Sequence, residues 1–213
     1  MNFKNGDLYH IYNQGNNKIR IFYSRENYIL FLKKIKQHIL PHADMVAWSL
    51  MPNHFHLMLY VHTLEVYYER KVINKVYYDI EGNKRIALEH LREKSFDLNN
   101  SIGVLLSSYT RAINNQQQRT GSLFRAHTHA ECLTKIDLHT HSFFDTPEGA
   151  IISRHFPEEE YPKVCFDYIH NNPVKAGLVK NPEDWEFSSY PDYYANRIGK
   201  LINKKRAEEF GLV

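Results

Sequence analysis

Cysteine is scarce in this chain of 213 residues: Cys132 and Cys165 are the whole complement. Two thiols exclude a disulfide scaffold, so both read as core or strand residues of a protein suited to a reducing compartment. Net charge is scarce too, because 27 Lys and Arg face 24 Asp and Glu, leaving +3. A balance that small excludes bulk charge as an argument for nucleic acid; any DNA-binding surface has to come from where the basic residues are placed. Long apolar runs are missing as well. The longest stretch without Lys, Arg, Asp or Glu runs from Met45 to Leu64 and is broken by Pro52, Asn53, His54, His56 and His62, which argues against a membrane span. Asn2, Lys4, Asn5, Gly6 and Asp7 leave no apolar stretch for a signal peptide, so a cytoplasmic protein is expected.

What the chain does hold is the ordinary balance of a folded domain, 43% hydrophobic and 24% charged, with an excess of two residue types: 13 His and 15 Tyr. Histidines are potential metal ligands, and tyrosines are potential nucleophiles or base-stacking platforms. Most of each must be structural, so only a few are candidates for chemistry.

Asp7 to Gln14 reads as a strand closed by the turn residues Gly15, Asn16 and Asn17. Ser24 caps a helix with Tyr28, Phe31, Leu32, Ile35 and Ile39 at helical spacing, stopped by Pro41. Met45–Met51 and His54–His62 read as two central strands joined at Pro52-Asn53. Val66 to Ile80 reads as part of a hairpin around Glu81-Gly82-Asn83, with a short charged helix expected from Arg85 to Lys94. A clearer helix follows from Ser101 to Arg119, with Asn100 as its N-cap and Gly121 as its terminating glycine. Leu123 to Leu133 reads as a strand, and residues 135–161 as an irregular insertion. Pro162 sits at the start of a helix over Lys163 to Asn171, ended by Pro173. This order predicts an α+β fold: a ferredoxin-like antiparallel sheet packed with helices, interrupted by insertions at about 66–99 and 135–161. Residues 1–194 form the expected domain and 195–213 a basic, helical C-terminal tail containing Lys204, Lys205 and Arg206.

On a strand, residues two apart share a face, so His-x-His presents two imidazoles about a metal's width apart. There are three such pairs, His54/His56, His127/His129 and His139/His141, and a bare pair is a weak signal in a chain with 13 histidines. His54/His56 has the best context: Phe55, Leu57 and Leu59 alternate into the buried face while the histidines face out of the core. Two solvated sheet-face histidines are the competing reading. His127/His129 lies on an expected strand and His139/His141 in the irregular insertion. A hard divalent ion held by two histidines still needs oxygen ligands from another element. The last clear helix offers Tyr168 and Asn172, four apart on one face, a phenol beside a carboxamide. Tyr109 is the rival tyrosine, but Leu105, Leu106, Ala112 and Ile113 surround it in the pattern, which makes it a core residue.

Several blocks in order then resemble a known family. They are Tyr9-His-Ile-Tyr-Asn-Gln-Gly-Asn16, Ser49-Leu-Met-Pro-Asn-His54-Phe-His56-Leu-Met-Leu, Ser108-Tyr-Thr-Arg111, Thr120-Gly-Ser-Leu-Phe-Arg125, Asp167-Tyr168-Ile-His-Asn-Asn172-Pro-Val-Lys-Ala-Gly-Leu-Val179 and Trp185-Glu-Phe-Ser-Ser-Tyr190. Together they resemble the IS200-like Y1 transposases of the HUH group, nearest the branch associated with repetitive extragenic palindromes. The matching segments cover roughly residues 7–62, 101–133 and 162–194. The resemblance implies that His54, His56 and Asn172 hold a divalent metal, Mg²⁺ or Mn²⁺, and that Tyr168 is the nucleophile. Two departures stand out: Gln14 occupies a position where many relatives carry Arg, and residues 66–99 and 135–161 are longer than the compact family pattern.

The chemistry implied is nicking and rejoining of single-stranded DNA next to a hairpin, through a 5′-phosphotyrosine, with no nucleotide cofactor. A phenol of pKa ~10 needs help to attack at neutral pH, and a divalent ion at the scissile phosphate supplies it. Candidate DNA contacts are Lys18, Arg20, Lys71, Lys75, Arg111, Arg119, Arg125 and Lys175, each with the alternative of being a solvated charge. A homodimer and a nucleoid-associated location are further expectations. Two readings from other classes stay open: a catalytically silent DNA-binding regulator, and a metal-dependent nuclease or phosphoesterase that uses activated water and leaves Tyr168 incidental.

Overall fold

The computed structural model describes residues 1–70, 73–88, 92–135, 143–146, 149–152 and 160–213. Its centre is a four-stranded antiparallel sheet made of β1 (Leu8–Gln14), β2 (Ala43–Met51), β3 (His54–Val61) and a short strand, His129–Cys132, in the order β2, β3, β1 and then that last strand. The first helix, α1 (Arg25–His38), joins β1 to β2. That order places consecutive hairpin strands β2 and β3 side by side and returns β1 to the middle, the ferredoxin-like arrangement expected from the sequence. α1 starts where Ser24 predicts, with Asn27 Oδ1 accepting the Tyr23 and Ser24 N–H groups at 2.9 and 3.1 Å.

The segment after β3 departs from expectation. Instead of a hairpin followed by a charged helix, β4 (Glu65–Arg70), β5 (Ile73–Tyr78), β6 (Lys84–Leu88) and β7 (Arg92–Asp97) pair outward and back, β4 with β7 and β5 with β6, about the Asp79–Asn83 turn. Cross-strand pairing with the Tyr- and Val-rich outgoing strands overrides the weak helical leaning of Arg85 to Lys94. α2 (Leu98–Gln116) then begins three residues earlier than expected. Its cap is Asp97, whose carboxylate accepts the Asn100 N–H at 2.7 Å, so Asn100 receives the cap bond and does not supply it. The helix ends on Gln118 in the left-handed region (φ 50°), ahead of Gly121.

Leu123 to Leu133 forms a strand only at its end, β8 (His129–Cys132). The earlier residues are tied to β1 in a different way: Asn13 Nδ2 donates to the Arg125 carbonyl at 3.2 Å and to Thr128 Oγ1 at 2.9 Å. Within 135–161, β9 (Phe143–Thr146) and β10 (Gly149–Ile152) form an antiparallel pair. His139 and His141 lie outside the described residues, as do Lys71 and the side chain of Lys75. α3 (Tyr161–Lys175) runs through Pro173 and is not ended by it. Pro173 falls in the last turn, so its missing N–H removes one helical bond near the end of the helix, and its burial with Asn172 holds the turn until Gly177 at φ +67°. α4 (Tyr190–Tyr194) and α5 (Lys204–Glu209) complete the chain.

Alternation along the strands divides the interior in two. Tyr9 and Ile11 of β1 and Phe55, Leu57, Leu59 and Val61 of β3 meet Phe31, Ile35, Ile102, Leu105 and Tyr109 of α1 and α2. Met58 of β3 and Val46 and Ala47 of β2 meet Phe166, Ile169 and Cys165 of α3, with Ala207 and Leu212 from the C-terminal residues. The histidine side of β3 is therefore not bare, as the alternation alone implied, but roofed by α3. Each buried Val, Leu, Ile, Phe or Met side chain among these contributes about 1.5–3 kcal/mol by leaving water. The open edge of β2 is covered by Phe187 to Ser189 and by Ile202–Asn203, and Arg206 pairs with Asp44 at 3.2 Å while lying 3.8 Å over the Tyr60 ring.

Tyr109 is fully buried, and its hydroxyl donates to the Ile21 carbonyl at 2.8 Å. Tyr109→Phe leaves that carbonyl unpaired and is expected to lower stability by about 1–3 kcal/mol, read from denaturant midpoints. An unchanged midpoint contradicts the assignment.

Candidate active site

The two histidines of β3 are aimed by the hairpin that precedes them. Met51 pairs with His54 across a two-residue turn, Pro52-Asn53. That turn is fastened from outside: the Gly15 N–H donates to the Asn53 carbonyl at 2.7 Å, and the Ile21 N–H donates to the Pro52 carbonyl at 2.8 Å. Gly15 has no substitute at this point, because a Cβ would lie 2.1 Å from the Ile19 carbonyl oxygen.

From this base His54 and His56 project to the α3 side, and α3 brings Asn172 over them. Asn172 Oδ1 lies 3.3 Å from His54 Nε2, and its Nδ2 lies 3.4 Å from His56 Nε2. The far ring nitrogens are engaged by neighbours. His54 Nδ1 donates to Asn53 Oδ1 at 2.7 Å, which places the lone pair on Nε2. His56 Nδ1 lies 2.9 Å from Nε2 of His10 on β1. With the Asn172 amide donating to His56 Nε2, His56 carries its proton on Nδ1 and donates it to His10. Both Nε2 lone pairs thus converge on one carboxamide, and an imidazole lone pair facing a carbonyl oxygen favours a cation between them. Two imidazole nitrogens and a carboxamide oxygen form a donor set that fits a divalent ion. Among the described residues no three His, Cys, Asp or Glu side chains gather as a metal set; the third donor here is an amide.

Burial keeps His10 and His56 neutral, as ligation by His56 requires. Burial pushes His10 down to about 3. Burial, then the neighbouring His54 and His10, holds His56 well below the usual imidazole range.

Tyr168 lies one turn before Asn172 on α3. Its ring meets His56 edge-on at 5.4 Å and His10 at 6.2 Å, and Lys175 Nζ lies 5.3 Å from its centroid. The phenol is 8% exposed and lines an open cleft of about 220 Å³ together with His10, Tyr12, Gln14, His54, His56, Arg125, His127 and His129. Of the expected DNA contacts, Arg125 lines this cleft, and Lys175 lies beside the Tyr168 ring. Lys18 lies by the β2–β3 turn, where its carbonyl accepts from Asn53 at 3.4 Å, and Arg20 follows it on the same loop. Arg111 belongs to α2, on the far side of the sheet, and Arg119 follows that helix, bonded to the Ser122 carbonyl at 3.2 Å.

No protein-family model matches the chain, and no curated protein matches it. Among solved structures it is similar to a REP-associated tyrosine transposase bound to a REP hairpin, with a TM-score of 0.52 over 94% of this chain and 87% of that one, at 15% identity. The likeness is one of fold. It agrees with the mixed sheet-and-helix architecture that carries His54, His56, Tyr168 and Asn172 to one place.

His10 and Tyr12 escape a reading of the sequence for His-x-His pairs alone. Their signal is present in β1, where Leu8, His10, Tyr12 and Gln14 alternate against Tyr9, Ile11 and Asn13; pairing β1 antiparallel to β3 puts Tyr12 opposite His56.

Asn53→Ala removes the acceptor that fixes the His54 tautomer, and divalent-metal affinity measured by calorimetric titration with Mn²⁺ is expected to fall about 10–100-fold. Equal affinity for Mn²⁺ in the two proteins contradicts this role. Protonation supplies a second check. Burial takes His10 and His170 from 6.5 to about 3 on folding. Their contribution to stability is therefore complete above about 6.5 and is lost as pH falls from there toward 3, because the unfolded chain binds the protons first. A stability profile that stays flat from about pH 6.5 to 4.5 is inconsistent with neutral, buried rings.

Proposed function

We infer that this protein is a metal-dependent single-stranded DNA transesterase of the tyrosine-transposase kind, which nicks and rejoins DNA near hairpins. The convergence of His54 Nε2 and His56 Nε2 on Asn172, with Tyr168 one helical turn away in the same cleft, carries this reading. A fold shared with a transposase that binds a DNA hairpin supports it.

A divalent ion bound by His54, His56 and Asn172, Mn²⁺ more readily than Mg²⁺ given two imidazoles, supplies positive charge to polarise a non-bridging oxygen of the scissile phosphate. The chain's residues do the rest. His10 and Asn53 hold the ligand rings in their working tautomers. Tyr168 stands at the cleft wall as the nucleophile: its oxygen bonds to phosphorus, its proton passes to solvent, and the bond from phosphorus to the 3′ oxygen breaks, leaving a protonated 3′ hydroxyl and a 5′-phosphotyrosine. A later attack by a 3′ hydroxyl on that ester releases the phenol and reseals DNA without a nucleotide cofactor. Lys175, beside the Tyr168 ring, offers a cation to the phosphate that arrives there.

Incubation with Mn²⁺ and end-labelled single-stranded DNA bearing a hairpin is expected to give a covalent adduct that survives denaturation, lost in Tyr168→Phe and on chelation. In His56→Ala the adduct is expected to fall by at least about 100-fold, as for loss of a group that stabilises charge in the transition state. Cleavage that persists in Tyr168→Phe without any adduct defeats the reading in favour of activated water, and binding without cleavage defeats it in favour of a regulator.

A further inference from the structure

The cleft contains a feature that metal binding and nucleophilic attack leave unexplained. Four aromatic rings form a ladder across the sheet, from the buried metal pair out to its edge. His56 and His10 lie edge to edge, nearly coplanar and joined by their 2.9 Å ring-nitrogen bond (centroids 5.1 Å, 22° between planes), His10 lies against Tyr12 (4.8 Å, 31°), and Tyr12 stacks nearly parallel on His129 (4.9 Å, 11°). Cross-strand register makes the last contact, since Tyr12 of β1 is directly opposite His129 of β8. Burial falls along the way: His10 and His56 are buried, Tyr12 is half-buried and His129 is exposed.

α3 packs chiefly against β2 and β3 and touches β8 where the Tyr161 hydroxyl donates to the Glu131 carboxylate at 2.6 Å, while His129 on the same strand stays exposed. Among the described residues no strand lies beyond β8. An ordered row of flat rings that runs outward and ends on an exposed imidazole is a platform with one rung to add. Arg125 and His127 line the same cleft, and the segment that carries them is held by Asn13 through the Arg125 carbonyl and Thr128 Oγ1.

We propose that the Tyr12–His129 stack is a nucleobase subsite, which seats one unpaired base of the single strand next to the scissile phosphate while Arg125 holds a backbone phosphate of the same segment. The occupant follows from the chemistry of the cleft: a planar π-face completes the ladder, a guanidinium beside it selects an anionic chain, and the platform is continuous with the cleft of Tyr168. This rests on the transesterase reading and adds to it a place where one flanking nucleotide is gripped by stacking, an interaction open to any base.

The full-length protein carrying Tyr168→Phe is titrated, by fluorescence anisotropy, with a DNA hairpin whose single-stranded flank has each nucleotide in turn replaced by an abasic one. One abasic position is expected to weaken binding about 5- to 100-fold, the range for loss of one stacked base. His129→Ala, an exposed position that leaves the fold intact, is expected to weaken binding of intact DNA by a similar factor and to have no effect on DNA abasic at that position. His129→Phe keeps a flat ring and is expected to keep the affinity. Loss in His129→Ala that is equal for every abasic DNA, no loss at all, or a His129→Phe protein as weak as His129→Ala each overturns the subsite while leaving the transesterase reading in place. Failure to bind any of these strands overturns both.

Discussion

A β-strand sends successive side chains to opposite faces, and β3, held between β2 and β1 in the interior of the sheet, uses one face for the core and the other for imidazoles. Phe55, Leu57, Leu59 and Val61 commit one side to α1 and α2, which leaves His54 and His56 no direction but the other. A slip of one residue would put the histidines into the core and the phenylalanine into the cleft, at a cost of several buried side chains. Register is secured from both sides by pairing with β1 and β2, and at the end nearest the histidines by the bonds of Gly15 and Ile21 to the Pro52-Asn53 turn. The aim of the metal pair is thus tied to the stability of the whole sheet.

α3 has two tasks on that second face. Cys165, Phe166 and Ile169 close a small core against Val46, Ala47 and Met58, and Tyr168 and Asn172 reach the histidines from the same helix. Because the apolar residues fix the rotation of the helix, Tyr168 and Asn172 arrive together, one turn apart. The helix packs chiefly on β2 and β3, meets β8 through Tyr161 and Glu131, and leaves His129 at the sheet edge exposed. Depth of burial falls from His56 and His10 to the exposed His129, and the same gradient separates the groups proposed to hold an ion from those proposed to hold DNA.

Much of this architecture is legible in the amino-acid sequence. β1, α1, the β2–β3 hairpin and α2 follow from apolar periodicity and turn residues, and Tyr168 with Asn172 follows from a four-residue spacing on a helix. The misses have physical causes. Arg85 to Lys94 leans weakly toward a helix, and only pairing with the outgoing strands, a non-local contact, makes strands of its described residues, 85–88 and 92–94. Pro173 is a helix breaker in isolation, but burial carries α3 past it. Asn100 resembles a cap, yet Asp97 outcompetes it by sitting three residues upstream. His10 escapes because its role depends on the register between β1 and β3, which no local pattern contains. The roof over the histidines is invisible in the sequence for the same reason, since helix docking is a property of the assembled sheet.

The proposed chemistry depends above all on His54, His56 and Asn172 together holding a divalent ion beside Tyr168. Crystals grown with Mn²⁺ and measured near the manganese absorption edge test this directly. The predicted result is a single strong anomalous peak at about 2.1–2.2 Å from His54 Nε2, His56 Nε2 and Asn172 Oδ1. A peak elsewhere, or one whose ligands include His10 in place of Asn172, would contradict it.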